Sequence, residues 1–353
     1  MVERIREFRR TLQRASAARV LPTRHGTAIL GDAIPDVYDH NYVSVEEARA
    51  GADELAADAD EALAERHHRR VIVEQGTPGV ADGFAALGYV LSTHLVLAHR
   101  RPPDRRIDTS AVRELPLDDV LPARTEATLR EPWGDRALAR QLNEAKRLVA
   151  LAVPTRFYAA VADGTVAGWC ELRVAGGVAQ IEDVEVLAEF RGRGLGRALV
   201  QYALDEGSRV ADVVFLEALA DDWPRELYAK LGFTAVDRRD VYTRLPSPVT
   251  RLRLRVRGLE LRVPTVAELR RLGRTPDGGV DLLALRDGVP VGLQRLALGR
   301  RGPSADTLFA ADAAAAAGMR AALDSLRHRL EDGSHRDEVD IDGLEHALPA
   351  LRP

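Results

Sequence analysis

A cluster of glycine and arginine residues, Arg191-Gly192-Arg193-Gly194-Leu195-Gly196-Arg197, stands between an apolar alternating run and a segment with helical spacing. A helix that starts directly after a strand presents unpaired backbone N–H groups and a partial positive charge. Glycines keep those N–H groups accessible, and arginines add positive charge around the same opening. The cluster therefore predicts a binding site for a phosphate or pyrophosphate group.

Three kinds of phosphate loop compete for this stretch: a P-loop, a Rossmann dinucleotide loop and a pyrophosphate loop of another kind. A P-loop ends in Gly-Lys-Ser or Gly-Lys-Thr, which is absent here. A Rossmann loop has the spacing Gly-x-Gly-x-x-Gly at the first strand of a parallel unit. The spacing here is Gly-x-Gly-x-Gly, after a strand that follows a predicted hairpin, and this favours the third kind of loop.

Two motifs resemble those of a known family. The hexapeptide from Arg191 to Gly196 is similar to the Arg/Gln-x-x-Gly-x-Gly/Ala signature of the GCN5-related N-acetyltransferases, the GNAT superfamily, and LYAKLGF from Leu227 to Phe233 is similar to that family's Leu-Tyr-x-x-Leu-Gly-Phe landmark. Both stand in the family's order, and the resemblance covers residues near 106 to 246. It implies the GNAT fold, an α/β fold with a mixed, mostly antiparallel sheet, a splayed central strand and flanking helices.

The resemblance also implies acetyl-CoA as the cofactor. In the family, the strand before the signature splays from its neighbour and pairs through its backbone with the pantetheine amides. Asp221 departs from the family, which often carries asparagine at that position. The cofactor-binding residues that the resemblance implies are Val184, Glu185, Val186, Arg191, Gly192, Arg193, Gly194, Leu195, Gly196, Arg197 and Asp221.

Acetyl transfer from a thioester to an amine needs a group that accepts the proton of the amine and a group that returns a proton to the departing thiolate. The resemblance assigns the first role to Glu182 and the second to Tyr228. Because strand side chains alternate, we expect Glu182 on the same face as Val184 and Val186, and Asp183 on the opposite face in a structural role. A surface carboxylate at Glu182 and a packed aromatic ring at Tyr228 are the alternatives.

The elements that must position these residues follow from the pattern of the central segment. Antiparallel strands that pass into a strand, helix, strand unit predict a mixed sheet with helices on its faces. The predicted order is a strand at Ala111 to Leu115, helices up to Ala150, a hairpin that turns at Asp163-Gly164, a strand ending at Val186, a helix after the Gly/Arg cluster, a strand from Asp212 to Leu219, a helix from Trp223 to Leu231 and a strand ending near Arg244.

Segments rich in proline and arginine near residues 100–106 and 245–248 predict boundaries between domains. We expect a degenerate GNAT-like domain at residues 1–104, a catalytic GNAT domain at residues 105–247 and a C-terminal α+β segment at residues 248–353 that completes the N-terminal sheet. FAALGYVLSTHLVLAHR, in the N-terminal part, aligns without a gap with YAKLGFTAVDRRDVYTR in the centre. This tandem arrangement is similar to that of mycothiol synthase.

The N-terminal copy lacks the Gly/Arg cluster. We expect its corresponding helix to open with VSVEEAR, so that Glu46 and Glu47 occupy the opening and repel a pyrophosphate. This copy is therefore predicted not to bind CoA.

Composition limits the remaining possibilities. The net charge is −4, the hydrophobic share is 46%, and no apolar run is long enough to span a membrane, so we expect a cytoplasmic protein without nucleic-acid or membrane partners. Cys170, the single cysteine, is expected to be a core thiol, and no metal site is predicted.

These observations predict an acetyl-CoA-dependent N-acetyltransferase that acts on the amine of a small molecule, a metabolite or an antibiotic, by direct transfer. Two alternatives remain open: an acyl-CoA-binding regulatory protein without catalysis, and an aminoacyl transferase that uses tRNA, for which a basic surface is expected. We expect a monomer or a homodimer.

Overall fold

The apolar alternation of the first 245 residues produces strands that join in one sheet of eleven in the part of the chain described. The structure, a computed structural model, describes residues 1–75, 79–131, 133–245, 253–256, 258–264, 272, 280–299, 302–331 and 339–342. The helices and strands of the first 245 residues are α1 (Val2–Ser16), β1 (Arg19–Pro22), β2 (Thr27–Leu30), β3 (Asn41–Glu47), α2 (Ala52–Ala62), β4 (Arg69–Gln75), α3 (Val80–Ala86), β5 (Val90–His99), β6 (Val112–Leu115), α4 (Leu117–Arg130), α5 (Arg136–Ala152), β7 (Thr155–Ala162), β8 (Thr165–Ala175), β9 (Val178–Val186), α6 (Leu195–Val210), β10 (Val213–Leu219), α7 (Pro224–Lys230) and β11 (Phe233–Arg244).

The sheet order is β1-β2-β3-β4-β11-β5-β10-β9-β8-β7-β6. β11, the last strand of the central segment, pairs antiparallel with β4 of the N-terminal segment. In return β5, the last strand of the N-terminal segment, pairs antiparallel with β10 of the central segment. β5 and β11 also pair with each other along most of their length. Each segment thus supplies a strand that extends the sheet of the other.

The N-terminal and central segments share an internal repeat. The order β3, α2, β4, α3, β5 in the first corresponds to β9, α6, β10, α7, β11 in the second. The predicted domains 1–104 and 105–247 nevertheless lie in one compact unit, which contains Met1–Leu63 and Arg69–Arg244. The exchange of β5 and β11 explains why contacts do not separate them.

The start of the N-terminal helix differs from the prediction. Glu46 and Glu47 end strand β3, because β3 continues beside β4 as far as Glu47, and α2 begins only at Ala52. The acidic character of the helix opening is retained through other residues, Asp53 and Glu54, which lie in its first turn.

Helices cover both faces of the central part of the sheet. On one face, which we call the α6 face, α6 and α7 pack over a core that contains Leu172, Ile181 and Phe233. On the other, the α5 face, α1 and α5 pack over Val96 and Phe215, and α4 packs near Trp169. The functional residues described below project mainly from the α5 face.

The C-terminal segment forms its own sheet, so the expectation that it completes the N-terminal sheet is wrong for the residues described. The elements are β12 (Arg253–Val256), β13 (Leu259–Arg262), β14 (Val280–Arg286), β15 (Val289–Gly299), β16 (Gly302–Ala310), α8 (Ala313–Glu331) and β17 (Val339–Asp342). The strands pair with one another in the order β16-β15-β14-β13-β12-β17, and β14 and β15 form a hairpin that turns at Asp287-Gly288. A buried core joins α8 to this sheet.

A search of the described helices finds none that combines the length and the apolar composition needed to cross a bilayer.

Dividing the polypeptide after Asp104 is expected to leave neither part folded by itself. Residues 1–104 would lose β11 beside β4, and residues 105–247 would lose β5 beside β10, so each part would expose a row of unpaired backbone groups. Each part expressed alone should lack a cooperative thermal transition by circular dichroism. Co-expressed with residues 105–353, residues 1–104 should elute with them as a 1:1 complex in size-exclusion chromatography.

The undivided chain is the control for this experiment. Cooperative unfolding of residues 105–247 in isolation would show that the exchanged strands are not required for folding.

Candidate active site

Strands β9 and β10 pair over only part of their length. Their parallel register runs from Val178 opposite Val213 to Ile181 opposite Leu216. Beyond this point β9 pairs with β8, whereas β10 pairs with β5. Within the described sheet, residues 182–186 therefore have no strand partner on the side that faces β10. The splayed strand that the family resemblance implied is present.

A β-bulge in β9 sets the direction of the side chains at this opening. Glu171 and Trp169 on β8 lie opposite Glu182 and Glu185, so β9 has one residue more than β8 between these pairs, and Asp183 has a φ of 58°. The bulge shifts the alternation, and Val184 packs against the core of the α6 face.

Two predictions about strand faces are therefore wrong. Glu182 does not share a face with Val184 and Val186, both of which pack on the α6 face. Asp183 lines the same cavity as Glu182 instead of lying opposite to it. The period-two pattern fails here because the bulge adds a residue to the strand.

The Gly/Arg cluster connects β9 to α6 through two left-handed residues. Gly192 and Gly194 have φ values of 78° and 79°, a conformation that residues with a side chain rarely adopt. No atom lies within 4 Å of the position that a Cβ would take at either glycine, so the backbone conformation is what requires them. Gly194 is the N-cap of α6, and the first turn, with Leu195 and Gly196, presents its N–H groups at this opening.

The three arginines of the cluster have different environments. Arg191 is exposed, donates from Nε to the carbonyl oxygen of Val186 at 2.9 Å, and pairs with Glu185 at 3.0 Å. Arg193 is also exposed, with its guanidinium 5.2 Å from the ring centroid of Phe190. Both cations remain at the loop that precedes α6.

Arg197 contradicts the prediction that its side chain surrounds a bound anion. Its side chain is only 7% exposed. The guanidinium pairs with Asp104 and donates to the carbonyl oxygen of Arg105 at 2.7 Å. Arg197 therefore fixes the segment that connects the two repeats, and only its backbone remains in the cofactor loop.

A cavity of about 680 Å³ brings the two predicted catalytic residues together. It is lined on the α5 face by Glu182 and Asp183, and it reaches the opening between β9 and β10, where Leu219 and Tyr228 line it. Asp221 is exposed and is not among the lining residues, whereas its neighbour Asp222 is. The carboxylate and the phenol predicted to take part in acetyl transfer thus line one cavity.

The environment of Glu182 and Tyr228 shifts both groups toward their protonated forms. Burial raises the pKa of Glu182, and the nearby carboxylate of Glu217 acts in the same direction, although Arg173 opposes the shift. Gln180 donates from Nε2 to Oε2 of Glu182 at 2.6 Å. Burial, together with the charge of Glu182, raises the pKa of Tyr228 to about 12.

Sequence reasoning missed a buried cluster of charges beside Glu182. Lys146 lies 2.8 Å from Glu171 and 3.4 Å from Asp183, and Arg173 lies 2.6 Å from Glu171. Arg124 pairs with Asp183. Burial lowers the pKa of Lys146 to about 8, while Lys146 and the two guanidinium groups lower the pKa of Glu171 to about 2 against the effect of burial.

One signal in the sequence could have directed attention to this cluster. The chain contains only two lysines, Lys146 and Lys230, and one of them lies in this cavity. Glu171 and Arg173 lie on one face of β8, but nothing in the sequence indicates that α4 and α5 supply their partners.

The N-terminal segment lines the other end of the cavity. Arg9 of α1 pairs with Glu74 on β4 and, at 3.0 Å, with Glu217 on β10. Arg239 on the exchanged strand β11 pairs with the second oxygen of Glu217 at 2.6 Å. The walls of the cavity are therefore built from both repeats.

The N-terminal repeat lacks the opening that β9 and β10 form. β3 and β4 pair as far as Glu47 opposite Gln75, and the N–H of Ala48 donates to the carbonyl oxygen of Gln75 at 2.9 Å. Only residues 48–51 separate β3 from α2, compared with residues 187–194 between β9 and α6. Over the described strands, this repeat therefore has no gap like the one between β9 and β10.

Cys170 lies in the core of the α6 face. It is fully buried, and burial raises the pKa of its thiol. Its Sγ lies 3.8 Å from the carbonyl oxygen of Leu199. Among the residues described, no group of three or more His, Cys, Asp or Glu side chains is arranged to hold a metal ion.

Comparison with known proteins identifies the central segment. The sequence model of the acetyltransferase (GNAT) family matches residues 117–233, which contain both predicted motifs and the splayed strand. The family predicted from these motifs is confirmed for this segment. A search of curated proteins finds no match.

Solved structures are similar to this chain at low sequence identity. A conserved protein of unknown function from Staphylococcus epidermidis ATCC 12228 is 14% identical, with a TM-score of 0.52 over 66% of this chain and 95% of that protein. A GCN5-related N-acetyltransferase from Kribbella flavida is 17% identical, with a TM-score of 0.45 over 67% of this chain and 91% of that one. A tandem GNAT protein from the clavulanic acid biosynthesis pathway is 22% identical, with a TM-score of 0.40 over 62% of this chain and 77% of that one.

The substitution Glu171→Gln is expected to lower the free energy of unfolding by about 3–5 kcal/mol, because it leaves Lys146 and Arg173 without their shared buried carboxylate. Since the folded-state pKa of Glu171 lies below its ordinary value, its contribution is present at neutral pH. It is lost as the pH falls toward about 2. Urea denaturation at several pH values measures both effects.

Glu126→Gln is the matched control, because Glu126 is exposed and pairs with Arg130 on the same helix. It should change the free energy of unfolding by less than about 1 kcal/mol. Equal effects of the two substitutions would contradict a structural role for the buried cluster.

Proposed function

Because residues 117–233 carry an acetyltransferase (GNAT) domain, we propose that the protein is an acetyl-CoA-dependent N-acetyltransferase that acts on the amine of a small molecule, a metabolite or an antibiotic. One observation carries the proposal: a single cavity joins the opening between β9 and β10 to the carboxylate of Glu182 and the phenol of Tyr228. An acyl donor that enters from the opening would meet an amine on the α5 face.

The residues around the opening fit the parts of acetyl-CoA. The free edge of β9, with Val184, Glu185 and Val186, offers backbone groups to the pantetheine amides. The N–H groups at the start of α6 can bind the pyrophosphate, and the open space in front of Gly192 and Gly194 leaves room for it. The cofactor supplies the activated thioester.

Two side chains of the protein then transfer the protons. Glu182 accepts a proton from the amine, and the raised pKa of its carboxylate brings its basicity nearer to neutral pH. The nitrogen forms a bond to the acetyl carbon while the bond from that carbon to sulfur breaks. Tyr228, which is protonated at neutral pH, returns a proton to the departing thiolate. The transfer needs no covalent intermediate with the protein.

The two environments found in the arginine cluster give a paired test of the cofactor site. Arg191→Glu should weaken acetyl-CoA binding at least about tenfold, because it places a negative charge beside the N-terminus of α6. Arg197→Gln should instead lower thermal stability while largely retaining affinity, because its guanidinium holds Asp104. Calorimetric titration with acetyl-CoA and thermal melts separate the two effects.

Loss of affinity in Arg197→Gln without loss of stability would contradict the different roles of these arginines. Retained affinity in Arg191→Glu would contradict a pyrophosphate site at this loop.

The catalytic assignment is tested with Glu182→Gln and Tyr228→Phe. Each should lower kcat for acetyl transfer by about 10²- to 10⁴-fold, the usual contribution of a positioned acid or base, while acetyl-CoA binding is retained. In the wild type, the rate should rise with pH as Glu182 loses its proton, and Glu182→Gln should lack this component. A mass-shift screen of amines with acetyl-CoA present identifies the acceptor for these assays.

Unchanged rates in both variants would reject the assignment of Glu182 and Tyr228. A wild-type protein that binds acetyl-CoA but acetylates no amine in the panel would favour an acyl-CoA-binding regulatory protein.

A further inference from the structure

One part of the cavity wall, formed largely by the N-terminal repeat, carries a group of side chains that acetyl transfer does not use. We call it the donor end and define it by His40, Tyr42, His94, Lys146 and Arg239, all of which line the cavity. Three of these residues belong to the N-terminal repeat, one to α5 and one to the exchanged strand β11. The repeat without a cofactor opening therefore contributes to the region that would hold the acceptor.

Two carboxylates near the donor end, Glu217 and Asp39, pair with arginines. Both oxygens of Glu217 are paired, one with Arg9 and the other with Arg239. Asp39 pairs with Arg70 at 2.6 Å. These two carboxylates are thus held by arginines rather than left open to a cationic ligand.

Hydrogen-bond donors remain open in the same region. In the part of the chain described, the imidazoles of His40 and His94 and the hydroxyl of Tyr42 have no hydrogen-bond partner in the protein. Burial lowers the pKa of His40 to about 4 and also lowers that of His94, so each ring offers one N–H at neutral pH. Lys146 adds a positive charge close to His40.

The donor end lies at a defined distance from the proposed base. β9, β10 and β5 are consecutive in the sheet, and His94 lies opposite Leu219 on β10. Two strand spacings and an offset of two residues along the strands therefore separate the backbones of Glu182 and His94 by about 12 Å, or more where β9 and β10 splay. A single small molecule can reach both positions.

We propose that the acceptor carries a carboxylate in addition to its amine, with the amine at Glu182 and the carboxylate at the donor end. This inference rests on the proposed function and specifies its substrate class. A singly charged carboxylate suits this site better than a phosphate dianion, because the charges of Arg239 and Lys146 are already largely balanced by Glu217 and Glu171. Open N–H and O–H donors complement its two oxygens.

The test uses the full chain and a series of straight-chain ω-aminocarboxylates, each paired with its primary amide. Calorimetry in the presence of CoA measures acceptor binding without reaction, and acetyl-CoA turnover gives kcat/KM. At the best chain length, the carboxylate should bind and react about tenfold better than the amide, since a hydrogen bond to a charged group contributes about that much.

Histidine variants test which residues cause the preference for the carboxylate over the amide. His94→Ala and His40→Ala should each reduce the preference for the carboxylate over the amide severalfold, with little change for the amide itself. His25→Ala is the control, because His25 lies outside this cavity, beside Asp58, and should keep the full preference.

Equal affinity for carboxylate and amide at every length overturns the inference, and so does a preference that survives both histidine variants. Acetylation of amines without any preference leaves the proposed function intact while this inference fails. Binding of the carboxylate without acetylation of any amine supports the anion site and rejects the proposed function.

Discussion

The exchange of β5 and β11 between the two repeats is the constraint on which the rest of residues 1–245 depends. β5 pairs with β10 on one side, and on the other side β10 separates from β9 after Leu216, where the gap between β9 and β10 begins. The same exchange carries His94 and Arg239 to the wall of the cavity. The opening between β9 and β10 and the cavity behind it thus depend on one arrangement of strands.

The buried charges of the cavity wall occur in groups of opposite sign. Beside Glu182, Lys146 and two arginines face Glu171 and Asp183, and on the other side Arg9 and Arg239 enclose Glu217. Each group is compensated by its direct neighbours, which offsets the desolvation of the buried ions. Burial raises the pKa of Glu182, and Arg173 offsets this effect only in part.

Local sequence signals predicted the local features of the site. Glycines with φ values near 78° and a helix that starts after a strand are encoded within a few residues, and so are the hairpin and the LYAKLGF helix. The alternation failed at Asp183, where one inserted residue moves the following side chains to other faces. Arg197 and the Lys146 cluster could not be predicted, because their partners come from segments far away in the chain.

The exchanged strands also affect the order in which the nascent chain can fold. Synthesis of β5 is complete at residue 99, but its neighbours β10 and β11 are complete only at residues 219 and 244. The first repeat therefore cannot complete its sheet until most of the second repeat has been synthesised, because β11 lies between β4 and β5. Contacts of such long sequence separation slow folding and prolong the exposure of unpaired strand edges. The topology that forms the cavity therefore exposes strand edges for as long as the second repeat is incomplete.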